Sequence, residues 1–230
     1  MRDKWIILTG MDLETYRTTF NEDDPAPGWD AIDTALSKIY GTTEPLVHWG
    51  TVVKHMLGGP DPLDGISVYG SNAGGRSHWH VVSYGFSELY YNEDSLDKEF
   101  SKFGFELTFR LLTEPEWTPE NDSAWTANLM QNIARHIFSS GEWFEPYHWI
   151  PANGPIKAND DTLIQGFVFV EDAELPAIDT PHGQVQFLQM VGVTDQEIAA
   201  IMDKSRTPGE VVEGLRAADP LLVCDLKRKN

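Results

Sequence analysis

The sequence predicts an α+β domain: a central mixed, largely antiparallel sheet flanked by helices. Three observations predict it. Phe103-Gly104-Phe105-Glu106-Leu107-Thr108-Phe109-Arg110-Leu111 alternates apolar and polar without a fault, as a half-buried strand does. Two stretches repeat apolar residues at three- and four-residue steps and stop at a glycine, as amphipathic helices do. Helical and strand patterns mix without strict alternation, which argues against a parallel βαβ arrangement.

Taken in order, the first helix is expected from about Pro27 to Tyr40. Trp29, Ile32, Leu36 and Ile39 form its apolar stripe, and Gly41 suits a left-handed cap. Ile66 to Tyr69 and His78 to Tyr84 read as strands, followed by the alternating strand above. There Phe103, Phe105, Leu107, Phe109 and Leu111 share one face, while Glu106, Thr108 and Arg110 take the other. A second helix fits roughly Ser123 to Ser139, with Trp125, Leu129, Ile133 and Ile137 on one face and Gly141 after it. Further strands are expected at Leu163 to Val170, Val185 to Val191 and Leu221 to Leu226. Between the last two, Thr194-Asp195-Gln196-Glu197 and Thr207-Pro208-Gly209-Glu210 have capping-box spacing, each marking a helix start. Loops are expected at Asn21 to Pro27, Tyr91 to Lys102, Pro115 to Asp122 and Pro151 to Asp161. No Pro/Gly-rich linker divides the chain, so residues 1–230 read as one domain with its core at about 27–226.

Bulk properties narrow the function classes. The hydrophobic fraction of 41% supports a real core and excludes the disordered class. No apolar run is long enough to span a membrane, and Met1 to Leu8 lacks the h-region of a signal peptide. The lone Cys224 excludes an internal disulfide framework, and a cytoplasmic location is expected. Carboxylates outnumber Lys plus Arg by 36 to 17, for a net charge of −19. That charge repels nucleic acid and anionic membranes and attracts a basic protein. It also suits simple solubility.

Catalytic signatures are sparse. Gly58-Gly59-Pro60-Asp61-Pro62-Leu63-Asp64-Gly65 lacks the Lys-Ser/Thr ending of a phosphate loop and reads as a structural turn. His78 and His80, two apart on a strand, point to one face and form the candidate metal pair, though no third ligand is spaced with them. The alternative is a hydrogen-bonded structural pair. There is no nucleophile elbow, and Cys224 reads as a buried structural thiol. Two aromatic clusters stand out: Tyr84, Phe86, Tyr90 and Tyr91 before the acidic Asn92-Glu93-Asp94, and Trp143, Phe144, Tyr147 and Trp149. Each suits either a protein-binding surface or the core.

An ordered set of segments resembles the Suppressor of fused family. It comprises Pro27 to Ile32, Leu57 to Asp64, His78 to Tyr90, Phe103 to Leu111, Leu129-Met130-Gln131 with Ala134-Arg135, Thr180 to Gly183, and Phe187 to Val193. The resemblance implies a domain equivalent to the N-terminal half of the animal proteins. Those are non-enzymatic regulators of Hedgehog signalling that hold a Gli-type peptide between two halves, the peptide adding to sheet edges. The second half has no counterpart in this sequence, so a Gli-like partner is not implied. Tyr90 alone carries over by motif as a contact residue. Short members resemble bacterial proteins proposed as immunity proteins against secreted toxins.

The expected function is therefore a non-enzymatic protein-binding module, immunity-type or regulatory, that occludes a protein or peptide partner such as a basic toxin. The candidate contact residues are Tyr90, Tyr91, Glu93 and Asp94. No cofactor is expected. The alternatives are a metal-dependent hydrolase using His78 and His80, and a scaffolding or homo-oligomeric subunit joined through a sheet edge.

Overall fold

Short-range signals end the helices where the sequence places them. The computed structural model describes residues 10–230, so the signal-peptide reading of Met1 to Leu8 lies outside the described residues. The first short helix, α1 (Leu13–Thr19), was not expected; Asp12 caps it by accepting the Thr15 N–H. Next, α2 (Pro27–Tyr40) stops at Gly41, whose φ of 71° supplies the left-handed cap. Then come β1 (Val47–Gly50), β2 (Gly65–Ser71), β3 (His78–Tyr84) and β4 (Phe100–Leu112). The short α3 (Pro119–Asp122) precedes α4 (Ala124–Ser140), which ends at Gly141 in the same left-handed way. The chain continues through β5 (Trp149–Pro151), β6 (Ile164–Glu171), β7 (Ile178–Thr180) and β8 (Gly183–Thr194). It finishes with α5 (Asp195–Met202) and α6 (Pro208–Ala218), each opened by a complete capping box, at Thr194/Glu197 and Thr207/Glu210.

The strands form one sheet in the order β1-β2-β3-β4-β8-β6-β5, with β7 also paired to β8. Among the described strands only β4 and β8 run parallel, so the expected mixed and largely antiparallel sheet is present. Among the described residues its ends are β1 and β5. Apolar side chains of β4, including Leu107, Phe109 and Leu111, pack against Met130, Ala134 and Ile137 of α4. On the opposite face Ile32 and Leu36 of α2 meet Tyr69, Val82, Tyr84 and Phe187. Helices α5 and α6 pack Ile198, Val211 and Val212 on Val168, Val191 and Val193. Each fully buried Leu, Ile, Val or Phe contributes roughly 1.5–3 kcal/mol, so these layers drive the assembly.

Three expectations are corrected. Strand β4 is not half-buried. Glu106, Thr108 and Arg110 have no solvent exposure, because α2 and the segment after β6 cover the face they occupy. Leu221 to Leu226 makes only one bridge, between Cys224 and Leu111, since the Asp219 carboxylate takes the Leu221 and Val223 N–H groups and curls the chain. Two expected loops are shorter, because β4 begins at Phe100 and Pro119 starts a helical turn. Cys224 is buried as expected, and burial pushes its thiol up to about 12.

Candidate functional site

The expected contact residues lie in the loop between β3 and β4, and the fold already engages most of them. Tyr91 stacks on Tyr16 of α1, with ring centroids 4.6 Å apart, and its hydroxyl donates to Glu93. Glu93 also receives two bonds from Arg17, at 2.7 and 2.6 Å. The Arg17 hydrogen bonds, with that of Tyr91, hold the Glu93 carboxyl down at about 2. Tyr90 points elsewhere: it packs beside the α2 core, and the Lys54 ammonium sits 3.7 Å from its ring centroid. Asp94 is exposed. Sequence reasoning did not foresee α1, whose Tyr16 is fully buried and bonds both His182 and the Asn92 N–H. Seven residues are too few to show an apolar period.

His78 and His80 do share a face, but that face is sealed beneath α2. The His80 Nδ1 meets the Tyr40 hydroxyl at 2.7 Å, and its Nε2 meets Asp172 at 3.0 Å. His78 Nδ1 lies 2.8 Å from the Arg76 carbonyl, and its Nε2 lies 3.1 Å from Arg110. With these nitrogens engaged, neither ring presents a lone pair to a metal ion. Among the described residues no group of three or more His, Cys, Asp or Glu is placed to hold one. Burial favours the neutral His80 imidazole, which donates to Asp172 and accepts from Tyr40. Burial opposes ionisation of Asp172, yet the permanent Arg110 charge and donors from His80, Thr108 and the Glu174 backbone hold its carboxyl well below the usual range. Glu106 is similarly enclosed: burial pushes it up, and donors from Ser83, Gly85 and Ser87 pull it back.

The second aromatic cluster divides between core and surface. Phe144 stacks on Phe169 at 4.0 Å, while Trp143 and Tyr147 remain 59% and 46% exposed beside β5. Among the described residues no strand pairs with the outer side of β5. The Tyr147 N–H donates to the Phe169 carbonyl; from there on the Phe169 N–H donates to His148, Ile150 faces Phe167 and Ala152 donates to Gln165, so residues 148, 150 and 152 bond to β6. The Trp149 N–H and C=O and the Pro151 C=O therefore point away from the sheet. A hollow of about 620 Å³ lies along this edge, walled by Trp143, Phe144, Tyr147, Trp149 and Pro208 with Glu142 and Glu145 at its rim. A neighbouring hollow of about 710 Å³ shares Trp143, Phe144 and Glu145 and extends to Phe100 and Lys102 on β4. The two hollows thus adjoin at Trp143, Phe144 and Glu145. Sequence flagged these aromatics but could not tell that β5 is an edge.

No helix among the described residues is long and apolar enough to cross a membrane. The family model of the Suppressor of fused protein (SUFU) matches residues 59–229. The Suppressor of fused homologues of human and mouse are each 36% identical over 217 residues, covering 87% of this chain and 43% of theirs. The chain thus spans less than half the length of these relatives. Among solved structures, a chain of the Sufu–Fu complex has a TM-score of 0.80 at 32% identity, covering 90% of this chain and 92% of that one. Drosophila Suppressor of Fused gives 0.77 at 30% identity, covering 96% and 53%. A SUFU homologue from Neisseria gonorrhoeae, at 15% identity and a TM-score of 0.53 over 88% and 97%, shares the fold. The matched span takes in β2 to β8 and α3 to α6, and the chain belongs to the Suppressor of fused family.

Proposed function

We propose that this chain is a non-enzymatic protein-binding module that takes an extended, basic segment of a partner along β5. The observation that carries this reading is the β5 edge, whose outward backbone groups have no partner strand among the described residues and lie beside an aromatic hollow lined also by Glu142 and Glu145. Such an edge supplies affinity through main-chain bonds, exposed aromatics supply contact area, and Glu142 and Glu145 favour Lys or Arg. Tyr90, Tyr91, Glu93 and Asp94, in the loop between β3 and β4, are the second set of contact residues in this reading. Placement of the perturbed titratable groups supports the absence of catalysis. His80, Glu106 and Arg110 have no exposure and Asp172 has 6%, so no substrate reaches them. The relative solved with Fu in a complex supports a protein as the partner class.

The net charge of −19 supports a basic partner, and an immunity-type role against a basic toxin is the specific form of this reading. The test is capture of partners from the source organism with the native chain and with a Trp143→Ala, Tyr147→Ala variant. A protein retained by the first and lost by the second is expected. Recovery of metabolites alone, or equal recovery by both chains, overturns the proposal.

A further inference from the structure

The opposite end of the sheet has different chemistry. Residues 45–60 contain no carboxylate, although the chain holds 36. They include β1 and four exposed apolar side chains: Leu46 at 53%, Val52 at 101%, Val53 at 48% and Leu57 at 74%. Beside them lies a hollow of about 430 Å³, walled in part by Trp49, Ile66, Ala124 and Ala127.

Among the described residues no strand pairs with the outer side of β1 either. Trp49 faces Ile66 and Val47 faces Val68, and the Thr51 N–H donates to the Asp64 carbonyl at 3.1 Å. Within β1 the ladder bonds to β2 therefore run through Val47 and Trp49, and just before it the Leu46 N–H donates to the Val68 carbonyl at 2.8 Å. His48 and Gly50 turn their N–H and C=O groups outward. An open apolar strand edge pairs readily with another strand.

We infer that β1 is a homodimer interface, pairing antiparallel with β1 of a second copy about a two-fold axis at Trp49. The sequence around Trp49 is self-complementary in that register. His48 of one copy pairs with Gly50 of the other, and Trp49 lies opposite its own counterpart. Leu46 and Val52 lie three residues on either side of Trp49, so each exposed Leu46 falls against the Val52 of the second copy. An isologous contact requires this reciprocity: if one residue meets another across the axis, the second meets the first. Charge selects the same face. Two chains of −19 repel each other, and the segment without carboxylates is where close approach costs least. The four residues of β1 bury too little surface for a stable dimer, so the Trp49 hollow and the partner's Val53 and Leu57 complete the contact.

The inference is independent of the proposed peptide site, since β1 and β5 are opposite ends of the sheet. Sedimentation of the full chain across a concentration series should show a monomer–dimer equilibrium. The dimer fraction should rise with salt as repulsion is screened. Leu46→Glu with Val52→Glu, both at exposed positions, should leave a folded monomer at every concentration. For register, Leu46→Cys and Val52→Cys chains are oxidised separately and mixed. A covalent dimer should form efficiently only in the mixture, because residues 46 and 52 oppose each other while neither opposes itself. A native chain monomeric throughout, a dimer unaffected by the double glutamate, or equal cross-linking without mixing would each overturn the inference.

Discussion

Arg110 and Asp172, 62 residues apart, meet at 2.9 Å with both side chains wholly removed from solvent. Arg110 comes from the centre of the sheet and Asp172 from the turn just after β6. Asp172 also receives His80, Thr108 and the Glu174 and Leu175 N–H groups. It is the hub between the sheet and α2. Asp172→Ala should cost about 3–5 kcal/mol, because it strips one arm of a buried guanidinium and the His80 and Thr108 donors of their acceptor, leaving Arg110 only its 2.8 Å pair with Glu174. Denaturant unfolding measures this. The pH dependence has a definite sign. The folded carboxyl titrates below its unfolded value of about 3.9, so its stabilisation is complete above that pH and is lost as pH falls toward the folded value. The variant should have a flatter acid limb than the native chain.

Glu106 should be nearly as sensitive. Its carboxylate accepts from the Ser83 and Ser87 hydroxyls and from the Gly85 and Ser87 N–H groups. Glu106→Ala would orphan these buried donors, each worth about 1–3 kcal/mol when unsatisfied. A loss of at least about 3 kcal/mol in urea unfolding is expected, with a smaller loss for Glu106→Gln, which keeps one acceptor oxygen.

The contact between Arg17 and Glu93 is a surface matter and should be read by titration instead of stability. Carbon-13 detection of the Glu93 carboxyl should give a pKa of about 2. In Arg17→Ala it should rise toward 4.5, the ordinary value. The carboxylate's tether to α1 is thus complete above the ordinary value and lost as pH falls through about 2.

Gly28 has no room for a side chain. A Cβ there would lie 2.0 Å from the Glu88 carbonyl oxygen, while the Gly28 N–H bonds to Leu89. Gly28→Ala should therefore push α2 off the loop that leads to Tyr90, at a cost of about 1–3 kcal/mol. The check is thermal unfolding together with the near-ultraviolet signal of the Trp29 and Tyr84 stack.

The groove beside β5 should behave in the opposite way. Trp143→Ala with Tyr147→Ala removes exposed surface and should change folding stability by no more than about 1 kcal/mol. Partner affinity should fall by about tenfold or more, as aromatic hot spots do. Calorimetry with the captured partner, beside an unfolding curve, separates the two effects.

The helix ends were legible because their determinants lie within four residues: the left-handed glycines at 41 and 141 and the Thr194/Glu197 and Thr207/Glu210 boxes. The β4 alternation was legible too, and it correctly separated two faces. Its polar face was misread as solvated. Glu106, Thr108 and Arg110 look like surface residues until Ser83, Ser87 and Asp172 are brought to them. Of the expected contact residues, sequence could place Tyr90 and Tyr91 side by side. It could not foresee that α1 would take Tyr91 and Glu93 while Lys54 took Tyr90.

By itself, then, the sequence determined the mixed α+β class, most of the elements, the family and the net charge of −19. Those depend on local period, capping chemistry and composition. Tertiary structure alone decided that the polar face of β4 is core, that His78 and His80 are spent on hydrogen bonds, and that β1 and β5 are the sheet's ends. Strand order is a property of pairings between residues far apart in the chain, and a strand at an edge carries the same alternation as one at the centre.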